Sequence, residues 1–402
     1  MQPPKKTYNG YKSFQYLEPG SDYKVFKLAK EVGRVPEYVY PVTEDEEKRV
    51  QQLLAGNIVI SLHDHTSVFP EDLSQIFEYI RWGREATGYE GLSVSGIDIV
   101  FENFMDGTAM ITSQNGWKWT DIIHDLGQRY CDFAHQDMLY KVETIADLYR
   151  AKPEGRIGVV SVLEAATMIE NEVDRLDVLY GLGVRVMGIT YSEANSLGCG
   201  LREPNDGGLT EFGKQCVRRM NKLGITIDTS HCGDKTGADA IEVSSKPTFI
   251  THAGARALWD SNRLKPDWVL KLCAERGGVI GIEAAPHTTL TQKHPLHDIE
   301  SYMEHFEYCA NLVGIDHVAF GPDTLFGDHV GLHHAFAAAL SIGATRKKVT
   351  VQEVEYVKGL ENPSEVFPNV VRWLVKHGYK DEDIAKVLGL NIIRVLKETW
   401  AR

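Results

Sequence analysis

Short apolar runs alternate along this chain with longer segments in which apolar residues recur at helical spacing. Seven of these runs lie between residues 57 and 320, and their short length and β-branched residues predict buried strands. The predicted strands are residues 57–62, 156–163, 184–190, 226–229, 248–251, 278–282 and 317–320. The helices predicted between them are residues 167–181, 210–222, 234–243, 266–276 and 298–313. Residues 87–117 show no clear period, and this stretch can supply an eighth strand.

Strands that alternate with helices imply a parallel sheet with right-handed crossovers. We therefore predict an α/β fold in which the strands close into a TIM-like (β/α)8 barrel. A doubly wound open sheet is the alternative fold. The Gly-x-Gly-x-x-Gly turn that dinucleotide-binding sheets of that kind carry after the first strand is absent here.

Two further regions flank the alternating part of the chain. Residues 1–56 are predicted to form an N-terminal arm that ends in a helix near residues 44–54 and packs on the barrel. Residues 57–402 are predicted to form the barrel, with an irregular segment at 87–150 and C-terminal helices. Helices outside the alternating part are predicted near residues 71–86, 117–133, 364–377 and 381–399.

Composition excludes several functional classes. The chain has 402 residues and a net charge of −13, which argues against broad nucleic-acid binding through clustered Lys and Arg. No apolar stretch reaches the roughly 18 residues that suggest a membrane span, and no apolar core of a secretory signal follows the basic residues at the N-terminus. The six cysteines lie far apart, which favours reduced thiols in a cytoplasmic protein over disulfides or a cysteine zinc site.

Residues of the types that bind metals follow five of the predicted strands. They are His63, His65, Glu164, His231, His252 and Asp323. In barrel enzymes the active site lies at the carboxyl ends of the strands, and alternation places His63 and His65 on one side of their strand. A single histidine at such a place is most often a satisfied, half-buried side chain. The whole set favours a site for Zn²⁺ or a related metal.

Several segments of the chain resemble the membrane (renal) dipeptidase family, which lies within the amidohydrolase superfamily. The similar segments are residues 208–214 (GLTEFGK), 220–224 (MNKLG), 227–231 (IDTSH), 251–258 (THAGARAL) with Arg263 beyond them, and 314–323 (GIDHVAFGPD). The tail is similar at residues 360–362, 377–384 and 388–396. Residues 1–56 and 87–150 match this family poorly.

The resemblance implies a zinc-dependent hydrolase of the dipeptidase type, which cleaves a dipeptide or a related small amide. The implied metal ligands are His63 and His65 for one ion, His231 and His252 for the other, and Glu164 bridging both. It further implies that Arg263 binds the carboxylate of the substrate, and that Asp323 takes a proton from the water between the ions and passes it to the leaving amine. One or two Zn²⁺ per subunit are expected, with Mn²⁺, Fe²⁺ or Co²⁺ as alternatives, in a homodimer.

Two positions depart from the pattern of this family. The family has His-x-Asp at the first strand, whereas this chain has His63-Asp64-His65, and Asp64 is expected to point to the other side of the strand. After the strand at 184–190 the family has a histidine in a Thr-His-Ser context, whereas this chain has Tyr191. The hydroxyl of Tyr191 either donates a hydrogen bond to an oxyanion or only fills space.

These departures leave two other functions open. One is a specialised metal-dependent amidohydrolase, lactonase, deaminase or lyase that acts on a non-peptide small molecule in a metabolic pathway. The other is a non-enzymatic binding protein on a decayed barrel. The retained set of Glu164, His231, His252, Arg263 and Asp323 argues against the binding protein.

Overall fold

The computed structural model describes residues 6–82, 84–104, 118–340 and 352–400. The strands within these ranges are β1 (Ile60–Asp64), β2 (Ser67–Val68), β3 (Ala86–Thr87), β4 (Ile99–Asn103), β5 (Leu139–Lys141), β6 (Ile157–Leu163), β7 (Val184–Gly188), β8 (Thr226–Asp228), β9 (Phe249–Ala253), β10 (Val279–Ile282) and β11 (Val318–Phe320). The predicted stretch at 87–117 is described only in part, because residues 105–117 lie outside these ranges.

The α-helices fill most of the connections between the strands. They are α1 (Glu44–Gly56), α2 (Ile76–Trp82), α3 (Tyr89–Val94), α4 (Trp119–Phe133), α5 (Ile145–Leu148), α6 (Ala151–Glu154), α7 (Arg175–Gly181), α8 (Glu211–Leu223), α9 (Asp234–Val243), α10 (Asp267–Glu275), α11 (Ile299–Val313), α12 (His329–Leu340), α13 (Pro363–Lys376), α14 (Asp381–Ala385) and α15 (Asn391–Thr399). Across the described residues, no helix combines the length and the apolar composition that crossing a bilayer requires.

Eight parallel strands form the barrel. Their order is β1-β4-β6-β7-β8-β9-β10-β11. The two outermost strands of this order meet, because the backbone N–H of Asp323 donates to the carbonyl of His63 and the N–H of His65 donates to the carbonyl of Thr324, both at 2.9 Å. The predicted (β/α)8 barrel is therefore confirmed, and the alternative of an open sheet is wrong because the sheet has no free edges at this seam.

The segment at 87–150, predicted to be irregular, contains regular elements wherever it is described. The eighth barrel strand, β4, lies here and pairs with β1 on one side and β6 on the other. The helix predicted at 71–86 is shorter, since the chain ends α2 at Trp82 and enters β3, which pairs with β2. Tyr79 holds this turn, because its hydroxyl donates to the carbonyl of Val68 and accepts from the N–H of Ala86.

Alternate residues of the barrel strands form a buried apolar cluster that extends to the C-terminal helix. The cluster includes Ile60, Leu62, Phe101, Val162, Val186, Phe249, Ala319, Ile392, Ile393 and Leu396. Asn391 at the start of α15 donates through its amide nitrogen to the carbonyls of Ile315 and Val318, at 2.8 and 2.9 Å. The C-terminal helix thus covers the end of the barrel where the strands begin, and the end where they finish is left for polar residues.

One buried carboxylate ties the N-terminal arm to the barrel. Asp132 on α4 accepts hydrogen bonds from the hydroxyls of Tyr11 and Tyr89, at 2.7 and 2.8 Å, and from the backbone N–H of Phe14 at 2.8 Å. Asp132 is only 1% exposed. These three donors are buried away from water when the arm packs on the barrel. Removal of the carboxylate therefore leaves three buried donors without a hydrogen-bond partner.

We expect the substitution Asp132→Ala to lower the free energy of unfolding by about 3 kcal/mol, because hydrogen bonds to a charged group are the strong ones. Urea unfolding followed by circular dichroism measures the change. The control is Asp45→Ala on α1, where the side chain is 92% exposed and pairs with Lys48 at the surface. It should change stability by about 0.5 kcal/mol or less, and equal effects of the two substitutions would contradict the anchoring role of Asp132.

Candidate metal centre

The ends of the barrel strands bring the predicted site residues together in two groups. The first group is His63, His65, Glu164 and Asp323, and the second is Glu164, His231 and His252. Within each group, one ligand atom from every residue lies within 4.8 Å of the others. Glu164 belongs to both groups, which is the placement that a carboxylate bridging two metal ions requires.

Glu164 lies at the centre of these groups, directly after β6. Its Oε1 atom is 3.1 Å from Nε2 of His63, 3.8 Å from Nε2 of His252 and 4.0 Å from Nε2 of His231. Its other oxygen, Oε2, is buried and has no hydrogen-bond partner among the described residues. Buried polar atoms are almost always paired, so this oxygen indicates a ligand that completes the site.

Shifts in strand register turn two of the histidines toward the centre. The register of β1 against β4 shifts between Ser61 and Asp64, and that of β9 against β10 shifts between Ile250 and Ala253. A bulge of this kind re-aims the side chains that follow it. His63 and His252 consequently face each other, with their rings stacked at a centroid distance of 3.5 Å.

Asp64, which separates the two histidines of the first strand, lies outside both groups. Its carboxylate accepts from the hydroxyl of Ser61 at 2.5 Å and from the backbone N–H and hydroxyl of Thr324 at 2.8 and 2.7 Å. Burial nevertheless raises the pKa of Asp64 to about 6. This residue therefore fastens the seam between β1 and β11 rather than facing the metal-binding groups.

Two glycines allow the strand ends to approach closely. A Cβ atom on Gly188, at the end of β7, would lie 1.8 Å from the carbonyl oxygen of Glu164. A Cβ atom on Gly321, directly after β11, would lie 2.0 Å from the carbonyl oxygen of Thr251. Since neither backbone oxygen can move without disturbing its strand, only glycine fits at these two positions.

A chain of hydrogen bonds fixes the orientation of His252. Asp228 accepts from the hydroxyl of Thr251 at 2.8 Å, so the single hydroxyl proton of Thr251 is already used. The oxygen of Thr251, 2.7 Å from Nδ1 of His252, must then accept from an Nδ1–H group. This leaves the lone pair of Nε2 free to face Glu164, as a metal-ligating imidazole requires.

His231 approaches the same position from the end of β8. Its Nε2 atom is 3.0 Å from Nε2 of His252, close to the roughly 3.3 Å that separates two nitrogen ligands of a tetrahedral zinc ion. Burial lowers the pKa of both imidazoles well below the usual value, so both are neutral and able to bind a metal. Tyr191 stacks on His231, with ring centroids 4.2 Å apart, which places it beside this group.

His63 differs from these two histidines in its protonation. Burial alone lowers its pKa, but hydrogen bonds with Asp323 and Glu164 outweigh burial and raise the pKa to about 9 in the protein without metal. A metal ion at this position must displace a proton, so we infer that metal binding by the first group strengthens as the pH rises toward that value.

Asp323 occupies a strained position at the seam of the barrel. Its φ angle is 59°, in the left-handed region that residues other than glycine seldom adopt. Its Oδ1 atom is 3.1 Å from Nε2 of His65 and 3.4 Å from Nε2 of His63. Strain of this kind persists where the surrounding structure imposes it, which occurs often at functional sites.

Arg263, predicted to bind substrate, lies beside Asp323 and is buried. Its Nη1 donates to the carbonyl of His252 at 2.9 Å, and its Nη2 is 3.7 Å from Oδ2 of Asp323. The same Nη2 is 2.5 Å from Oε2 of Glu283, which follows β10. Burial raises the pKa of Glu283 to about 7, against the opposing charge of Arg263.

Two residues at the site are not among those predicted from the sequence. They are Glu283 and Asn103, and the side-chain amide of Asn103 lies 3.3 Å from Nε2 of His63. Glu283 directly follows the strand predicted at 278–282, so the rule that identified Glu164 could have found it. Asn103 ends β4, which lies in the stretch with no clear period. No strand end was predicted there, so the same rule could not identify Asn103.

A third group with suitable ligand types lies apart from these two. It consists of His287, His334 and Glu353. Nε2 of His334 is 2.8 Å from Oε2 of Glu353, and Nε2 of His287 is 3.4 Å from the same atom. The side chains of His334 and Glu353 are 52% and 62% exposed, unlike those of the buried groups, and a contact between exposed charges is weak.

Comparison with known sequences identifies relatives of this chain. The sequence profile of the family described as membrane dipeptidase (peptidase family M19) matches residues 122–337 and 352–401. Dipeptidase tcpJ of Claviceps purpurea is 27% identical over 299 residues, which cover 74% of this chain and 62% of that protein. Dipeptidase aclJ of Aspergillus oryzae is 27% identical over 280 residues, which cover 69% of this chain and 59% of that protein. The match thus spans about three-fifths of the length of these relatives.

Solved structures share the fold. An amidohydrolase from Pseudomonas aeruginosa superimposes with a TM-score of 0.71 at 26% identity, over 88% of this chain and 99% of that one. A metallopeptidase from Rhodobacter sphaeroides, bound to a phosphinate mimic of the dipeptide L-Ala-D-Ala, gives a TM-score of 0.65 at 20% identity, over 86% of this chain and 100% of that one. Because the profile match extends over more than half of the sequence, the chain belongs to the membrane dipeptidase family, peptidase family M19.

Proposed function

We propose that this protein is a metal-dependent hydrolase of the dipeptidase type, which adds water across the amide bond of a dipeptide or a related small amide. The observation that carries the proposal is the pair of ligand groups that share the buried carboxylate of Glu164, with Asp323 beside them. Membership of the membrane dipeptidase family supports the same activity.

The donor set fits two ions of the zinc type. In this proposal His63 and His65 would hold one ion, His231 and His252 would hold the other, and Glu164 would be shared between them. Imidazole and carboxylate ligands suit Zn²⁺, with Mn²⁺, Fe²⁺ or Co²⁺ as alternatives, and the unpartnered Oε2 of Glu164 leaves a coordination position to fill. When bound, such ions polarise a carbonyl group and lower the pKa of water.

Asp323 is proposed to move the proton. Burial works to raise its pKa, but the contacts with the histidine cluster, among them hydrogen bonds with His63 and His65, outweigh burial and hold the pKa well below its ordinary range. The carboxylate is therefore ionised and can accept a proton from the attacking water through Oδ1. The same oxygen then returns the proton to the leaving amine, as general acid–base catalysis requires.

Tyr191 is proposed to donate a hydrogen bond from its hydroxyl to the oxygen on which negative charge develops. We expect Tyr191→Phe, which keeps the ring that stacks on His231, to lower kcat by about 10²-fold. Metal content, measured by elemental analysis, should stay at the wild-type level. A kcat within about twofold of wild type would show that this ring only fills space.

A hydrolysis assay tests the proposed function. Protein stripped of metal by a chelator is given a panel of L,L and L,D dipeptides, before and after it is reloaded with Zn²⁺, Mn²⁺ or Co²⁺. We expect released amine only after reloading. Turnover that survives complete removal of metal would contradict a metal-dependent reaction. If the fully metal-loaded protein cleaves no dipeptide, the result favours the alternative of a specialised amidohydrolase. The departures at His65 and Tyr191 support that alternative.

A further inference from the structure

The guanidinium of Arg263 already has a buried carboxylate partner. Nη2 of Arg263 lies 2.5 Å from Oε2 of Glu283, while Glu283 is 0% exposed and Arg263 is 3% exposed. Nη1 is engaged as well, since it donates to the carbonyl of His252 at 2.9 Å. A ligand that approaches this arginine therefore meets a cation whose charge is balanced by a neighbouring side chain.

Two carboxylates share this single guanidinium. Oδ2 of Asp323 is 3.7 Å from the same Nη2 atom, so one positive charge faces two negative groups. Glu283 ends the barrel strand next to the one that leads to Asp323, and both residues lie at the carboxyl ends of their strands. In a buried setting, like charges brought side by side repel strongly, so a substrate carboxylate placed against Arg263 would compete with Glu283.

We propose that Arg263 and Glu283 together form a subsite for an uncharged donor–acceptor group, so that the substrate is a small amide whose far end is a carboxamide or similar neutral group rather than a free carboxylate. A carboxamide offers its N–H to Glu283 and its oxygen to Arg263. A carboxamide complements both members of the pair, whereas a carboxylate meets like charge at Glu283 and an ammonium meets like charge at Arg263. This inference rests on the proposed function for the position of the bond that is cleaved.

Two further buried histidines present uncharged rings. His297 and His329 are each 1% exposed, and neither ring has a hydrogen-bond partner among the described residues. Burial lowers the pKa of both well below the usual value, and His329 interacts electrostatically with Asp323. The ring of His329 therefore offers an uncharged hydrogen-bonding group within reach of the charge of Asp323.

The matched substrates L-alanyl-L-alanine and L-alanyl-L-alanine amide test the subsite on the metal-loaded enzyme at pH 8, where Glu283 is ionised. Mass spectrometry counts cleavage of the internal peptide bond alone. We expect kcat/KM of the wild-type enzyme to favour the amide by about tenfold or more, and Glu283→Gln to shift the ratio toward the free acid by about tenfold, mainly through KM. Both substrates are assayed with the same protein sample. Partial misfolding of a variant lowers both rates equally and does not alter their ratio.

Asp98→Asn is the matched control, since Asp98 is also buried (1% exposed) and pairs with a cation, Lys6, at the start of β4, the opposite end of the barrel from the proposed metal centre. It should leave the ratio unchanged. A wild-type preference for the free acid, or a ratio that Glu283→Gln does not move, overturns the subsite. If neither substrate is cleaved, the proposed function fails, and calorimetric binding of L-alanine and L-alanine amide to wild type and Glu283→Gln decides the subsite by itself.

Discussion

Substitution of Asp323 by Asn is expected to lower kcat by about 10³-fold at the pH optimum, with little change in metal content. The carboxylate proposed to accept the proton is lost, and an amide cannot replace it. Asn tolerates the left-handed backbone of this position as well as Asp does. The variant should therefore fold, and the loss should lie in the chemical step.

Steady-state kinetics and elemental analysis on the same samples check this expectation. Asp328→Asn is the control, because Asp328 lies in the same connection and accepts from the N–H of Gly331 at 2.9 Å, a capping bond that Asn also makes. Its kcat should stay within about threefold of wild type. Wild-type activity in Asp323→Asn would remove Asp323 from the proton transfer, and loss of metal would make it a ligand instead.

Glu164→Gln should abolish the metal centre, because it removes the carboxylate that both ligand groups share. We expect the loss of at least one metal equivalent and a fall in activity of about 10³-fold or more. The fold should survive. Burial raises the pKa of Glu164 despite the opposing effect of His63, so its ionisation above the unfolded-state pKa destabilises the protein without metal.

Loss of metal and a change in fold stability are separated by two measurements. Metal content is measured on the protein as purified, and unfolding is measured in the presence of a chelator. Metal-free Glu164→Gln should unfold cooperatively, with a stability within about 2 kcal/mol of metal-free wild type at pH 8, since the loss of a buried charge offsets the loss of its contact with His63. Asp98→Asn, which changes a buried carboxylate at the start of β4, the opposite end of the barrel, should keep full metal content. A Glu164→Gln protein that retains two equivalents of metal and full activity would contradict the bridging role.

The repeating order of apolar runs and amphipathic segments was enough to predict the barrel. Each strand contributes a local pattern, and closure follows from the way parallel strands and right-handed crossovers pack. The rule that active-site residues lie at the carboxyl ends of barrel strands also needs only the local sequence. It identified Glu164 and His231 because each lies at the end of a predicted strand, and the structure brings them within 4.0 Å of each other.

Other features of the site depend on contacts between distant parts of the chain, which no local sequence pattern predicts. The register shifts that turn His63 and His252 inward arise from pairing with β4 and β10, which no local pattern encodes. The pair formed by Arg263 and Glu283 joins two connections across the end of the barrel. Strand β4 was obscured because its short run lies among glycine, serine and aromatic residues.

Anomalous X-ray scattering from crystals of the zinc-loaded protein tests the central claim most directly. The account predicts two peaks about 3.5–4 Å apart, each about 2.0–2.2 Å from its ligands. One peak should contact His63 and His65, the other His231 and His252, and Glu164 should contact both. Peaks confined to the exposed group of His287, His334 and Glu353, with none beside Glu164, would contradict the proposed centre.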